Sequence, residues 1–367
     1  MAGTSGNGID LGGIDHVEFW VGNARQAAQF WASAFGFDVI AHAGPETGVR
    51  DRVSYVLAQG DIRFVLTGAV DPASAVATHH ANHGDGVRDI AFLVSDVRRA
   101  YDAAVERGAP SVREPWVTED DTGKLTRATV ATYGDTVHTF VDRAAYSGAF
   151  APGFETVAFP RTAGLAVGLR AFDHVVANVP LGHLEEWVGY YRDVFGFDQL
   201  VHFDDEQIHT EYSALMSTVV WDGSKVVLPI NEPAAGKRKS QIEEYLDYYG
   251  TPGVQHIALR TDDIVSAVRA MRARGLRFLE VPGAYYDDAH ERLEGVELPW
   301  ESIATLGILV DRDPDGHLLQ IFTEMIGDRP TVFVEVIQRE GSRGFGLGNF
   351  KALFEAIERE QARRGNL

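Results

Sequence analysis

Three side chains in the later half of the chain have the types needed to hold a metal ion together: His174 in FDHVVANV, His256 in GVQHIAL and Glu335 in TVFVEVIQR. Each sits in the middle of an apolar run with the length of a strand. Two imidazoles and one carboxylate are the donors of a facial triad, which leaves the opposite coordination positions open to reacting molecules. Any one of them alone reads as a hydrogen-bonded core residue, so the chemistry rests on the set. The chain has no cysteine. Disulfides, thiolate nucleophiles and iron–sulfur clusters are thereby excluded, and a metal must be held by His and carboxylate.

The elements that position these residues show themselves as a repeat. IDHVEFWVGNARQAAQFWASAFGFDVIAHAG at 14–44 answers FDHVVANVPLGHLEEWVGYYRDVFGFDQLVHFD at 172–204. Both read strand, amphipathic helix, Phe-Gly-Phe, strand, with Gly36 and Gly196 where a helix C-cap favours a left-handed residue. GVRDIAFLVSDVRRAYDAAVERGAPSVREP from Gly86 matches GVQHIALRTDDIVSAVRAMRARGLRFLEVP from Gly253 without a gap. Each gives a strand, Asp96 or Asp263 near the start of a helix, Arg-Gly at its end and a strand closing at Pro115 or Pro282.

Further alternating runs follow in each unit, among them RVSYVLAQG and TVHTFVDR. The expected fold is α+β: two tandem domains, each of two βαβββ-type units forming a curved, partly open mixed-sheet barrel, with a carboxyl-terminal helix. At 367 residues the chain exceeds the usual limit of one core. The expected boundaries are 1–150, a Gly/Pro/Thr-containing linker over 151–170, and 171–367.

Position for position, the amino half offers His16, Asp89 and Thr139 where the carboxyl half has the triad. Lacking a second imidazole, that set predicts a degenerate partner and one working site. A net charge of −20 opposes binding to nucleic acid. No run reaches the roughly 20 apolar residues of a membrane helix. MAGTSGNGIDLGG has no signal-peptide pattern, so a cytoplasmic location is expected. His79, His80 and His83 in THHANHGDG read as a solvated helical face. GFGLG lacks the spacing and the following βαβ unit of a dinucleotide loop.

Ordered motifs then carry a family resemblance. LPINEP (228–233), KSQIEEYL (239–246), GVQHIAL (253–259), YYD (285–287), LLQIFT (318–323), DRPTVFVEVIQR (328–339) and the final GFGLGNFKALFEAIEREQARRGNL resemble those of the 4-hydroxyphenylpyruvate dioxygenases. These enzymes have the vicinal oxygen chelate fold, and the likeness runs from about residue 13 to the last residue. It implies that His174, His256 and Glu335 bind Fe(II). It also implies polar catalytic residues Ser217, Asn231, Gln241, Gln255 and Gln320, with Pro229, Phe322, Phe333, Phe345 and Phe350 against the substrate. The implied reactants are an α-keto acid, 4-hydroxyphenylpyruvate, and O2, giving homogentisate and CO2 in tyrosine breakdown. A homo-oligomer, dimer or tetramer, is implied as well.

The closest alternative is hydroxymandelate synthase, which hydroxylates the benzylic carbon of the same acid. In that enzyme the positions of Phe350 and Pro229 look like Ile and Thr, whereas this chain keeps Phe350, Pro229 and Asn231. Further alternatives are a metal-free binding protein of the same fold and a glyoxalase-like isomerase. The final helix, with Phe350, Leu353, Phe354 and Ile357 on one face, is expected to act as a lid hinged at GFGLG. Alternation along a strand sends Gln255 away from the face of His256, so a bulge or curvature is needed to bring both to one site. Gln320, an amide within an apolar strand, needs a partner.

Overall fold

The computed structural model describes residues 8–157, 166–204, 212, 214–234 and 236–366. Residues 158–165 of the expected linker and the first seven residues lie outside the described residues. The first sheet is built from β1 (Gly13–Val21), β2 (Asp38–Ala43), β3 (Arg52–Gln59), β4 (Ile62–Ala69), β5 (Gly86–Leu93), β6 (Ser111–Asp120), β7 (Gly123–Ala131), β8 (Val137–Asp142) and β9 (Glu155–Thr156). The second contains β10 (Leu169–Asn178), β11 (Asp198–Phe203), β12 (Ala214–Trp221), β13 (Val227–Ala234), β14 (Gly253–Thr261), β15 (Leu309–Asp313), β16 (Gly316–Phe322) and β17 (Phe333–Glu340). The helices are α1 (Ala24–Phe35), α2 (Ala75–His83), α3 (Val97–Glu106), α4 (Leu184–Tyr190), α5 (Gln241–Tyr249), α6 (Ile264–Ala273), α7 (Ala284–Arg292), α8 (Trp300–Leu306) and α9 (Leu347–Arg364).

Both sheets follow one plan, as the repeat requires. The orders are β6-β7-β8-β5-β1-β4-β3-β2-β9 and β11-β12-β13-β10-β14-β17-β16-β15. In each, two antiparallel strands form the centre, β1 with β5 and β10 with β14. Each central strand also pairs in parallel with the last strand of its own unit. The repeated Asp residues cap their helices: Asp96 accepts from the Arg99 N–H and Asp263 from the Ser266 N–H. Gly36 and Gly196 take φ values of 75° and 74°, in the left-handed region expected of them.

Three expectations need correction. β6 does not close at Pro115 but runs through it to Asp120. Pro115 is tolerated because β6 is an edge strand whose register shifts between Arg113 and Trp116, so no ladder hydrogen bond is required there. The matching segment before Pro282 is no strand: Phe278 makes only an isolated bridge to Thr323, and α7 and α8 intervene before β15. Finally, His79 and His83 are not solvated, being 3% and 2% exposed; only His80 faces outward.

A single hydrophobic cluster passes through both halves, joining Phe35 and Phe64 to Phe195 and Val334. At that seam His138 of β8 is fully buried. Its Nδ1 lies 2.9 Å from the Ile90 carbonyl and its Nε2 2.8 Å from the Tyr191 hydroxyl. Burial pushes the imidazole down to about 4. An imidazole depressed in this way contributes stability in full above the unfolded value of about 6.5 and loses it as pH falls through 4. The difference amounts to about 3 kcal/mol. Thermal melts between about pH 7.5 and pH 4 are therefore expected to show a shallower loss of stability in His138→Gln than in the unmodified chain, and parallel curves would contradict this.

Candidate metal centre and active site

β14 lies between β10 and β17, and this order brings the triad together. Ala258 of β14 pairs with His174 on one side and with Glu335 on the other. His256, two residues earlier on the same strand, shares the face of Ala258. The small Ala258 side chain leaves the space into which its longer neighbours converge. Glu335 Oε2 lies 3.2 Å from His174 Nε2 and 3.6 Å from His256 Nε2. One ligand atom from each residue falls within 4.8 Å of the others, and all three residues are buried.

Partners behind the triad fix which nitrogens face it. His174 Nδ1 is 2.7 Å from Asp173 Oδ1. Asp173 in turn accepts two hydrogen bonds from Arg339, at 2.8 and 2.7 Å. His256 Nδ1 is 3.2 Å from Gln255 Oε1, and Gln255 Nε2 donates to Gln241 Oε1 at 3.4 Å. With both Nδ1 atoms engaged, both Nε2 atoms are presented to Glu335, the arrangement that orients imidazole ligands in metal sites. The bulge that Gln255 required is present: Val176 pairs with His256 and Ala177 with Val254, leaving Gln255 as the extra residue.

The charges favour a cation between these groups. Burial pushes His174 down, but the Glu335 carboxylate and Asp173 outweigh it and hold the imidazole up at about 9. Burial raises Glu335, yet His174 and His256 bring it down to about 2. His256 is lowered, chiefly by burial. Glu335 Oε1 is buried with no hydrogen-bond partner. A carboxylate oxygen left bare beside two imidazole nitrogens fits a metal ion, whose binding would displace the proton shared there.

In front of the triad is a narrow cavity of about 60 Å³, space for a few water molecules. Of the residues expected at the substrate, Ser217, Asn231, Pro229, Phe322, Phe345 and Phe350 line it, together with Val176, Phe203, Val219 and Leu353. Ser217 and Asn231 face each other directly across β12 and β13. Phe345 meets His174 edge-on at 5.5 Å. Four expected residues stand behind this surface. Phe333 stacks on His256 at 4.7 Å. Gln255 and Gln241 form the chain described above. Gln320 is buried with its Nε2 unpartnered, and a Cβ on Gly346 would come within 2.6 Å of that nitrogen. Gly346 also has φ 73°, so the head of α9 needs glycine there on two counts.

α9 closes the mouth. Leu353 and Ile357 pack with Leu279, Phe322 and Phe333, while Phe354 and Phe350 pack with Phe203 and Ile242. The hinge is tied down by Asp313, which accepts from the Gly344 N–H at 2.7 Å, and by Arg339, which donates to the Gly344 carbonyl at 2.6 Å. Arg339 thus links His174, through Asp173, to the segment leading into α9. At its far end Arg364 pairs with buried Glu244 of α5 at 2.7 Å.

The amino half keeps the outer partners and lacks the ligands. Arg143, Asp15 and His16 reproduce the Arg339, Asp173 and His174 arrangement, with His16 Nδ1 2.6 Å from Asp15 and Arg143 at 2.6 and 2.7 Å. Asp89 stands where His256 does, but Thr139 occupies the Glu335 position. The Thr139 hydroxyl and N–H both donate to the Asp89 carboxylate, at 2.5 and 3.0 Å. Neither Asp173 nor Arg339 was evident as a functional residue from sequence. The available signal was the Asp-His pair and the strand-final Arg recurring in both halves.

The chain matches the Glyoxalase/Bleomycin resistance protein/Dioxygenase superfamily over residues 13–135 and 171–321. It is 48% identical to the 4-hydroxyphenylpyruvate dioxygenase of Yarrowia lipolytica, covering 97% of this chain and 93% of that one. It is 50% identical to the protein of that name from Dictyostelium discoideum, covering 97% and 100%. Its fold superimposes on a mutant 4-hydroxymandelate synthase from Streptomyces coelicolor with a TM-score of 0.86 at 35% identity, covering 96% and 100%. By sequence and by fold, the chain belongs to the 4-hydroxyphenylpyruvate dioxygenase family.

Proposed function

We propose that this protein converts 4-hydroxyphenylpyruvate and O2 to homogentisate and CO2, with Fe(II) held by His174, His256 and Glu335. The observation that carries the reading is the buried two-His, one-Glu cluster with both Nδ1 atoms engaged from behind. Fe(II) at these ligands would supply open positions for a chelating α-keto acid and O2, and the redox steps that Zn²⁺ lacks. A homo-oligomeric, cytoplasmic enzyme belongs to the same reading, on family grounds alone.

The surrounding residues have definite tasks. Ser217 and Asn231 offer a hydroxyl and an amide that orient the phenol or carboxylate without adding a charge to compete for the metal. Phe345, Phe350 and Leu353 exclude water from the reacting centre. α9, which carries Phe350 and Leu353 over the cavity, moves on its hinge to admit and enclose substrate. Gln255 and Asp173 hold the two imidazoles against rotation.

The test is oxygen uptake by purified protein with Fe(II) and 4-hydroxyphenylpyruvate, followed by identification of the aromatic product. Homogentisate with one CO2 per O2 is expected; no oxygen uptake would refute the reading. The structural likeness to a hydroxymandelate synthase gives the second reading its footing, and Phe350 separates the two. Its ring lies 5.4 Å from Phe203 over the cavity. Phe350→Ile is expected to move a measurable share of product to 4-hydroxymandelate on chromatography. An unchanged product ratio would remove Phe350 from ring placement.

A further inference from the structure

A second cluster of metal-ligand type stands apart from the triad, in the seam between the halves. His79 and His83 lie one turn apart on α2, and Asp135 lies in the turn between β7 and β8; ligand atoms of the three fall within 4.8 Å of one another. The seam is built rather than incidental. Arg329 donates to the carbonyls of Asn82 and Ala81 at the end of α2, and to that of Tyr248 at the end of α5. The turn bearing Asp135 is seated against the segment after α5, since a Cβ on Gly134 would collide with the Pro252 carbonyl.

The hydrogen bonding at this cluster is incomplete. His83 Nδ1 is 2.5 Å from the Tyr249 carbonyl, which can only accept, so this nitrogen carries the proton. His83 Nε2 then faces Asp135 Oδ2 at 2.9 Å, where a lone pair meets a carboxylate. A positive species must lie between them, either a second proton or a metal ion. A proton on His83 would still leave His79, which is buried with neither ring nitrogen partnered and with Nδ1 3.8 Å from the same carboxylate oxygen. A metal ion satisfies all three residues. We propose that His79, His83 and Asp135 bind a divalent transition ion of the Zn²⁺ class, which ties α2 to the turn between β7 and β8 where both face the carboxyl half.

The donor distances suit that class. Metal–ligand bonds of 2.0–2.1 Å place tetrahedral ligand atoms about 3.4 Å apart, between the 2.9 and 3.8 Å measured to Asp135. Burial lowers His79 to about 3, which keeps its lone pair available. Asp135 is half-exposed, so the fourth position opens to water. The charged neighbours are Arg88, held 4.9 Å over Trp20, and the exposed pair His80 and Asp85. Arg88 opposes any cation alike; two imidazole donors with a single carboxylate are what disfavour the oxygen-seeking Mg²⁺ and Ca²⁺. The inference is independent of the iron reading.

The test counts zinc after metal-free protein is dialysed against Zn²⁺ and desalted. The unmodified chain is expected to retain two ions, one in the triad and one in the seam. His79→Gln and Asp135→Asn are each expected to retain one, as is Glu335→Gln. Zn²⁺ is further expected to raise the melting temperature of Glu335→Gln by several degrees, and to leave Glu335→Gln/His79→Gln unmoved. His79 makes no hydrogen bond to lose, and near-ultraviolet circular dichroism checks each fold. If the unmodified chain and His79→Gln retained equal zinc, and Zn²⁺ left the melt of Glu335→Gln unchanged, the seam would be a proton-mediated His83–Asp135 pair and the proposal would fall.

Discussion

Glu335→Gln is expected to abolish iron binding and oxygen consumption together while the fold survives. The change keeps the shape of the side chain and removes the one charge that His174 and His256 share. Loss of an outer partner typically costs 10–100-fold. Removal of a ligand should exceed that range and take turnover to the assay background. The substitution also leaves His174 with Asp173 as its one carboxylate neighbour, so His174 should lose part of its raised affinity for a proton. Iron per chain by elemental analysis, an oxygen electrode and near-ultraviolet circular dichroism check the three statements. One iron per chain in the variant would remove Glu335 from the ligand set.

The second expectation exploits the duplicated Arg-Asp-His arrangement. Asp173→Asn and Asp15→Asn delete chemically matched carboxylates, each buried and each paired with an arginine and a histidine. Breaking such a pair costs about 3–5 kcal/mol of stability, and both variants should melt early. Their catalysis should diverge. Asp173→Asn weakens the bonds that Asp173 makes to Arg339 and to His174 and so loosens the hinge of α9, and a loss of about 10–100-fold in iron affinity and turnover is expected. Asp15→Asn, like His16→Ala, should leave turnover per folded molecule nearly unchanged. Equal losses in the two halves would mean that the amino half takes part in catalysis.

The repeat, the central strands and the triad were legible because each leaves a local mark. Strands alternate, helices carry Asp and Gly caps, and a His or Glu inside an apolar run is conspicuous. What stayed hidden depends on contacts between distant stretches. Arg339 reaches back to Asp173 across 166 residues. Gln255 joins His256 only through a bulge that alternation cannot announce. His79 and His83 sit in a polar stretch that reads as surface, and they are covered by Tyr249 from the other half. The segment before Pro282 read as a strand by analogy with its repeat, but α7 and α8 are inserted after it, and β15, paired with β16, takes the edge place that β6 holds in the first sheet.

Turnover of 4-hydroxyphenylpyruvate under ¹⁸O₂, read by mass spectrometry of the product, tests the proposed chemistry most directly. Homogentisate should carry one heavy oxygen on the ring and one in its carboxylate, because both atoms of O2 enter the same molecule. Unlabelled product, or label at the benzylic carbon of 4-hydroxymandelate, would contradict it.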